Sequence, residues 1–192
     1  MVVALRTHRL LLRGWRDEDV AAADGLSADP AVMEYLVPRP GWAARARAHW
    51  EERGFGQWIL EIPGEASFIG VVGLSAVSYE AHFTPAVEIA WRLARAYWGR
   101  GYATEAAKAA VDYGFDKLAL REIVALTVPA NQRSRRVMER LGMTRSPDDD
   151  FDHPRLPEGP LRRHVLYRLR NPGAGLTNQQ PWLGDAGAVD RE

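Results

Sequence analysis

A glycine turn at residues 98–104, Trp-Gly-Arg-Gly-Tyr-Ala-Thr, is the strongest chemical signal in the chain. A predicted strand leads into this turn, and a predicted helix follows at once. Glycine lets the backbone approach a ligand closely, and the first N–H groups of a helix have no partner inside that helix. Together with the helix dipole, these donors form an anion site, most naturally one for a pyrophosphate. The alternative is a tight turn that binds no ligand.

Three kinds of phosphate site place glycines before a helix, and two of them do not fit the spacing. The P-loop needs Gly-Lys followed by Ser or Thr, and the chain contains no such run. The dinucleotide fingerprint needs a third glycine where Thr104 stands, and an acidic residue at the end of the next strand, whereas Glu122 begins that strand. The spacing therefore leaves a coenzyme A pyrophosphate cradle as the remaining phosphate-binding interpretation.

The composition excludes several classes of protein. With 25 Lys plus Arg against 25 Asp plus Glu among 192 residues, the formal net charge is zero, which argues against nucleic-acid binding. Cysteine is absent, which excludes a disulfide scaffold, a zinc ribbon and a cysteine nucleophile. No apolar run approaches the roughly 20 residues of a membrane span, and Met1–Arg6 is not typical of a secretory signal. We expect a cytoplasmic protein that binds neither nucleic acid nor a membrane.

The elements that must position the glycine turn follow from hydrophobic periodicity. A Pro-Gly turn predicts an antiparallel hairpin between two central strands, and a connecting helix predicts a parallel pair after it. The pattern predicts an α/β fold with a mixed, partly antiparallel sheet, in a single domain over residues 1–170. Strands are predicted at 8–15, 57–62, 68–74, 87–93, 122–128 and 164–169, and helices at about 17–26, 43–53, 102–118 and 131–141.

The segment 171–192 is rich in Pro, Gly, Asn and Gln and has few apolar residues. Such a segment buries too little apolar surface to be ordered on its own, so we expect a mobile C-terminal tail. Trp182-Leu183 within it would be the docking point if the chain forms a homodimer.

Four ordered blocks carry a resemblance to a known family: Val87–Leu93, Tyr97–Ala106, Asn131 with Ser134, and Arg140–Met143. Together they resemble the GNAT superfamily of N-acetyltransferases. The opening segments His8–Arg13 and Asp29–Met33 are similar to its ribosomal-protein N-terminal, or Rim-type, branch. The resemblance covers about residues 6 to 170. It implies an acyl-CoA-binding fold with helices on both faces of the sheet.

The acyl-CoA signature of this family begins with Gln or Arg and ends with Gly, any residue, then Gly or Ala. Gly101 and Ala103 fill the last two places, and Trp98 stands where Gln or Arg is usual. The cradle acts through backbone N–H groups, so this departure is compatible with phosphate binding. The resemblance implies acetyl-CoA as co-substrate and no metal. It implies cofactor contacts from Ile89, Ala90, Trp91, Trp98, Gly99, Arg100, Gly101, Tyr102, Ala103, Thr104, Asn131 and Arg136.

Acetyl transfer to a primary amine, whether of a protein N-terminus or a small molecule, needs a base for the amine and help for the departing thiolate. Glu88 is the first candidate base, because a carboxylate among apolar neighbours has a raised pKa. Its alternative role is to pair with an arginine such as Arg92. Ser134 is the candidate partner of the thiolate by family analogy, and otherwise a solvated helical serine. The absence of cysteine favours direct attack in a ternary complex.

Several polar residues near these candidates have two interpretations. Asn131 is predicted to cap a helix, and the resemblance adds a hydrogen bond to the pantetheine arm. The acidic loop 148–153 fits neither a calcium nor a zinc site, so we expect a polar surface loop with His153 as a second candidate base. The rival function is a non-catalytic acyl-CoA-binding or regulatory module. Four arginines would steer the 3′-phosphate of coenzyme A or form a solvated face: Arg133, Arg135, Arg136 and Arg140.

Overall fold

The computed structural model describes residues 2–174, and within them the chain alternates strands and helices around one sheet. The strands β1 to β9 lie at Leu5–Arg6, Leu11–Arg13, Gln57–Ile62, Ala66–Ala76, Val87–Leu93, Glu122–Thr127, Thr144–Arg145, Phe151–Asp152 and Arg163–Arg170. The helices α1 to α5 lie at Asp17–Leu26, Pro30–Met33, Trp42–Arg53, Tyr102–Asp116 and Gln132–Arg140. None of the helices among these residues is long and apolar enough to cross a membrane.

The sheet has the order β1-β2-β3-β4-β5-β6-β9-β7, with β8 paired to β9 beside this path. Strands β1 to β5 each pair antiparallel with the next, as β3 and β4 do in the predicted hairpin. β6 joins β5 in parallel and pairs antiparallel with β9. The mixed, partly antiparallel sheet predicted from the sequence is confirmed, and α4 is the crossover that makes β5 and β6 parallel.

Helices cover both faces of the sheet, and consecutive residues of β4, from Ile69 to Leu74, are therefore buried. On one face, Ala23 of α1 and Ala43 of α3 pack with Ile59 and Val71. On the other face, the small alanines of α4, such as Ala106, pack against the larger strand residues of the main core. Small residues on α4 bring this helix close to the sheet, and its first turn therefore lies near β5.

Strands β5 and β6 pair at one place and then separate. Their register within residues 2–174 contains the single pair Glu88 and Val124. On its other edge, β5 pairs with β4 along its whole length, from Val87 to Leu93. Because peptide groups alternate between the two edges of a strand, some N–H and C=O groups beyond Glu88 face an open space rather than β6.

In the first fifty residues one predicted strand is wrong and one helix was not predicted. The strand predicted at 8–15 covers only β2, because residues 7–10 form a turn in which Thr7 N donates to Leu10 O at 2.9 Å. The first helix ends at Leu26, before Asp29-Pro30, as predicted, but this pair then begins α2, which was not predicted. The Asp29 carboxylate accepts a hydrogen bond from Ala31 N at 2.8 Å, and proline suits the first helical position because it needs no N–H partner. Helix α2 could not be predicted from periodicity, because its four residues are too few to show a helical repeat.

The other predicted elements are correct to within a few residues at their ends. The strand predicted at 68–74 extends over Ala66–Ala76, and the helix predicted to reach residue 118 ends at Asp116. The predicted tail at 171–192 lies outside the described residues from 175 onward, and the domain boundary at residue 170 stays a prediction.

Candidate active site

A cleft of about 440 Å³ opens where β5 and β6 separate. The segment 31–36, which contains the end of α2, forms one wall, α5 forms another, and the first turn of α4 closes one end. Most site residues predicted from the sequence line this cleft, whereas Arg100, Arg135 and His153 do not. Those that line it are Glu88, Ile89, Ala90, Trp91, Trp98, Gly99, Gly101, Tyr102, Ala103, Thr104, Asn131, Arg133, Ser134, Arg136 and Arg140.

The glycine turn presents backbone rather than side chains to the cleft. Gly99 and Gly101 have φ values of 75° and 81°, in the left-handed region that favours glycine. Gly101 is the N-cap of α4, and no side chain caps this helix end. The first amide groups of α4 therefore have no acceptor within the helix, as an anion site requires.

The hairpin of β1 and β2 holds this turn through a contact between Arg9 and Glu105. We call this contact the Arg9–Glu105 clasp. Arg9 Nε donates to Glu105 Oε2 at 2.7 Å, and Arg9 Nη1 donates to the carbonyl oxygen of Arg100 at 2.9 Å. Thr7 Oγ1 and Arg9 N donate to Glu105 Oε1 at 2.6 and 2.8 Å. Burial opposes ionisation of Glu105, but these hydrogen bonds outweigh it and hold its pKa below the ordinary value. Arg100 thus contributes its carbonyl to the clasp while its neighbours face the cleft.

Glu88 lies at the point where β5 and β6 separate. The residue is half-buried, and its carboxylate has no hydrogen-bond or ion-pair partner among the described residues. Burial raises the pKa of Glu88 from 4.5 to about 7, and the positive charge of Arg39 partly offsets this rise. The pairing with Arg92 considered from the sequence is not formed, because the Arg92 guanidinium instead lies 4.0 Å from the ring centroid of Trp42. A carboxylate in this environment can accept a proton near neutral pH.

Ser134 faces the cleft from the first turn of α5. Asn131 caps this helix as predicted, since its Oδ1 accepts from Ser134 N at 3.1 Å. The Asn131 Nδ2 group donates to Thr127 Oγ1 at 3.0 Å, at the end of β6. Both ends of the Asn131 amide are therefore engaged within the protein, and they fix the start of α5 and the Ser134 hydroxyl relative to β6.

Trp98, which replaces the usual Gln or Arg, has a hydrogen bond of its own. Its indole N–H donates to the carbonyl oxygen of Leu93 at 2.8 Å. The Arg133 guanidinium lies 4.6 Å from the Trp98 ring centroid and pairs with Glu34 at 2.6 Å. Arg133 therefore connects α5 to the segment that follows α2, across the cleft.

His153, the second candidate base, lies in an aromatic cluster outside the cleft lining. Its ring is buried, 4.4 Å from the ring of Tyr79 and 5.3 Å from that of His164. Burial, with the nearby His164, lowers the pKa of His153 to about 4. The acidic loop before it is tied to β9 and its neighbours, for example by the Asp149–Arg168 pair at 2.8 Å.

The family model for the acetyltransferase (GNAT) domain matches residues 9–144, which include the clasp, the glycine turn, Glu88 and Ser134. The chain belongs to the GNAT acetyltransferase family. It is therefore an acyltransferase of the N-acetyltransferase type, and its fold class is confirmed.

Relatives of this GNAT acetyltransferase occur among bacterial proteins. The chain is 36% identical to the YkkB protein of Bacillus subtilis over 146 residues, which span 72% of this chain and 84% of the relative. It is 31% identical to the N-acetyltransferase YnaD of the same organism over 145 residues, 73% of this chain and 82% of the relative. An acetyltransferase structure from Agrobacterium tumefaciens superposes with a TM-score of 0.71 at 28% identity, covering 89% of this chain and 96% of that one.

Proposed function

We propose that the protein transfers an acetyl group from acetyl-CoA directly to a primary amine, with Glu88 as the general base and Ser134 as the partner of the departing thiolate. The observation that carries the proposal is the place of the Glu88 carboxylate, unpaired within the described part of the chain, in the same cleft as the uncapped helix and the Ser134 side chain. Burial there raises the pKa of Glu88 to about 7. A base is most effective when its pKa lies near the working pH.

The residues of the cleft fit coenzyme A. The left-handed Gly101 and the uncapped first turn of α4 suit a pyrophosphate, and a side chain at position 101 would approach Arg9 to 3.4 Å. The backbone edge of β5 beyond Glu88 would bind the pantetheine amides, and Arg136 would face the phosphates. Acetyl-CoA supplies the activated acetyl group as a thioester.

The protein's own groups would then act in order. Glu88 accepts a proton from the ammonium form of the acceptor, so that a neutral amine attacks the acetyl carbon. The Ser134 hydroxyl donates its proton to the sulfur as it gains charge, and it regains a proton from the attacking nitrogen as the amide forms. The walls of the cleft, including segment 31–36, exclude water from the thioester. With no cysteine in the chain, a thioacyl-enzyme on cysteine cannot form, which supports direct transfer.

Rates measured against pH test this assignment. Glu88→Gln should lower turnover by about 10²-fold near neutral pH, and the loss should shrink as the pH rises, because more acceptor then arrives neutral. Ser134→Ala should also slow turnover, but by a factor that does not change with pH. Two acceptors whose amines have different pKa values separate the acceptor's own titration from that of Glu88.

Glu65→Gln is the matched control, because it removes a carboxylate from the exposed turn between β3 and β4. Parallel profiles for the wild type and Glu88→Gln would remove Glu88 as the base. Binding of acetyl-CoA without acetylation of any amine would favour the rival function, a non-catalytic acyl-CoA-binding module. The Rim-type branch, a homodimer and a cytoplasmic location stay predictions.

A further inference from the structure

Arg92 is a half-buried, charged residue on the wall of the cleft, and its guanidinium has no hydrogen-bond or ion-pair partner within residues 2–174. Its Nη1 is fully enclosed. Burial lowers the pKa of Arg92 to about 10, so the group stays positive at neutral pH. A buried donor without a partner is costly, and a charged donor more so. The indole ring of Trp42 covers one face of the guanidinium and fixes its direction, but it accepts no in-plane hydrogen bond.

Arg92 lies on the opposite face of the sheet from the glycine turn. It is paired in register with Val71, so both side chains point to the face that α1 and α3 cover. Ile89 and Leu93, on the other face of β5, pack in the core that includes α4, the helix that follows the glycine turn. Glu88 and Arg92 share a face because four residues separate them on one strand. Arg92 therefore belongs to the side of the cleft that carries the base, not the phosphate cradle.

The charges around the cleft do not suit a polycation. Among its described lining residues Glu88 is the one carboxylate, and Arg133 already has Glu34 as its partner. Arg39, exposed on the segment after α2, acts on both Glu88 and Arg92 as a further positive charge, and Asp24 of α1 acts on Arg92 as a negative charge without pairing with it. The charged lining residues are Glu88, Arg92, Arg133, Arg136 and Arg140.

We propose that the acceptor is a primary amine that also carries an anionic group, with its nitrogen at Glu88 and its anion at Arg92. This inference rests on the proposed function, because it names the class of amine for the same site. Four residues along a strand separate the two Cα atoms by about 13 Å. The amine and the anion are therefore several bonds apart, as in an ω-amino carboxylate, rather than one carbon apart as in an α-amino acid.

Initial rates with a chain-length series of ω-amino carboxylates test the inference, each compared with the alkylamine of the same length and with spermidine. At the preferred length, kcat/KM for the carboxylate should exceed that for the alkylamine by roughly tenfold to a hundredfold, as a charge-assisted hydrogen bond to Arg92 provides. Arg92→Met should remove this preference, and Arg92→Lys should keep part of it. Both variants should leave the KM for acetyl-CoA unchanged.

Hexanoate has the anion but no amine, so its binding can be measured without acetyl transfer. It should bind the wild type in calorimetry and compete with the acceptor, and it should not bind Arg92→Met. Arg53→Met, which removes an exposed positive charge at the end of α3, is the matched control and should bind hexanoate like the wild type.

Several results would overturn the inference while the proposed function stands: equal rates for carboxylates and alkylamines, a preference for spermidine, or a raised KM for acetyl-CoA in Arg92→Met. The last would assign Arg92 to the co-substrate. Binding of hexanoate without acetylation of any amine would instead count against the proposed function and support the anion site.

Discussion

Replacing Glu88 by glutamine should stabilise the protein, and the gain should grow with pH. The carboxylate pays a desolvation cost in the cleft, and that cost is the reason for its raised pKa. Glutamine has a similar shape and no charge, so the variant avoids this cost. The same substitution that slows the reaction is therefore expected to raise the free energy of unfolding, as happens where a strained functional group opposes folding.

The magnitude and the pH window follow from the two pKa values. Below about pH 4.5, Glu88 is protonated in both the folded and the unfolded chain, so its ionisation has no effect on stability. As the pH rises, the unfolded chain ionises first, and stability is lost until the folded carboxyl also ionises at about 7. The full difference corresponds to about 3 kcal/mol, at about 1.4 kcal/mol for each tenfold change.

Denaturant unfolding at two pH values measures this directly. Relative to the wild type, Glu88→Gln should gain about 1 kcal/mol at about pH 5.5 and about 3 kcal/mol at about pH 8.5. The exposed Glu65→Gln should follow the wild type at both values. An offset that is the same at both pH values, or a destabilised Glu88→Gln, would show that burial does not raise the pKa of Glu88 in this way.

Two further predictions concern the glycine turn. Gly101→Val should abolish the rise in Tm that acetyl-CoA produces, because it places a β-branched residue in a left-handed conformation at the cradle, whereas Gly64→Val, with the same strain at an exposed turn, should keep it. An undiminished thermal shift in Gly101→Val would place the cradle elsewhere. Glu105→Gln should weaken acetyl-CoA binding by roughly tenfold in calorimetry, because it loosens the Arg9–Glu105 clasp. It should leave the acceptor KM unchanged, because the clasp does not contact the acceptor side. Unaltered binding in Glu105→Gln would make the clasp purely structural.

The glycine turn and Glu88 could be predicted from the sequence because local rules encode them. Two glycines before an amphipathic helix specify a left-handed turn, and strict alternation in Val87–Leu93 assigns Glu88 to the face opposite the α4 core. Asp29-Pro30 was ambiguous, because such a pair is found both after the end of a helix and at the start of one, and here it caps α2. The local sequence did not distinguish a helix start from a helix end at this pair.

The contacts of Arg9 and Arg92 could not be predicted, because they join residues that are far apart in the sequence. Arg9 and Glu105 are 96 positions apart, and their contact depends on where the first hairpin lies on the finished sheet. For Arg92, alternation gives the face of the strand but not what covers that face. Trp42 covers it, and the Arg92 guanidinium lies against this ring instead of pairing with Glu88, the alternative that the sequence left open.

The Arg9–Glu105 clasp couples the stability of the β1–β2 hairpin to that of the glycine turn. β1 and β2 lie at the edge of the sheet, where strands open most readily. Each opening of this edge that breaks the contact of Arg9 with the Arg100 carbonyl releases the turn as well. Linkage is reciprocal, so a co-substrate bound at the turn must lower the equilibrium constant for opening of the hairpin by the same factor by which opening weakens co-substrate binding. The stability of the β1–β2 hairpin therefore depends on whether a co-substrate occupies the cleft.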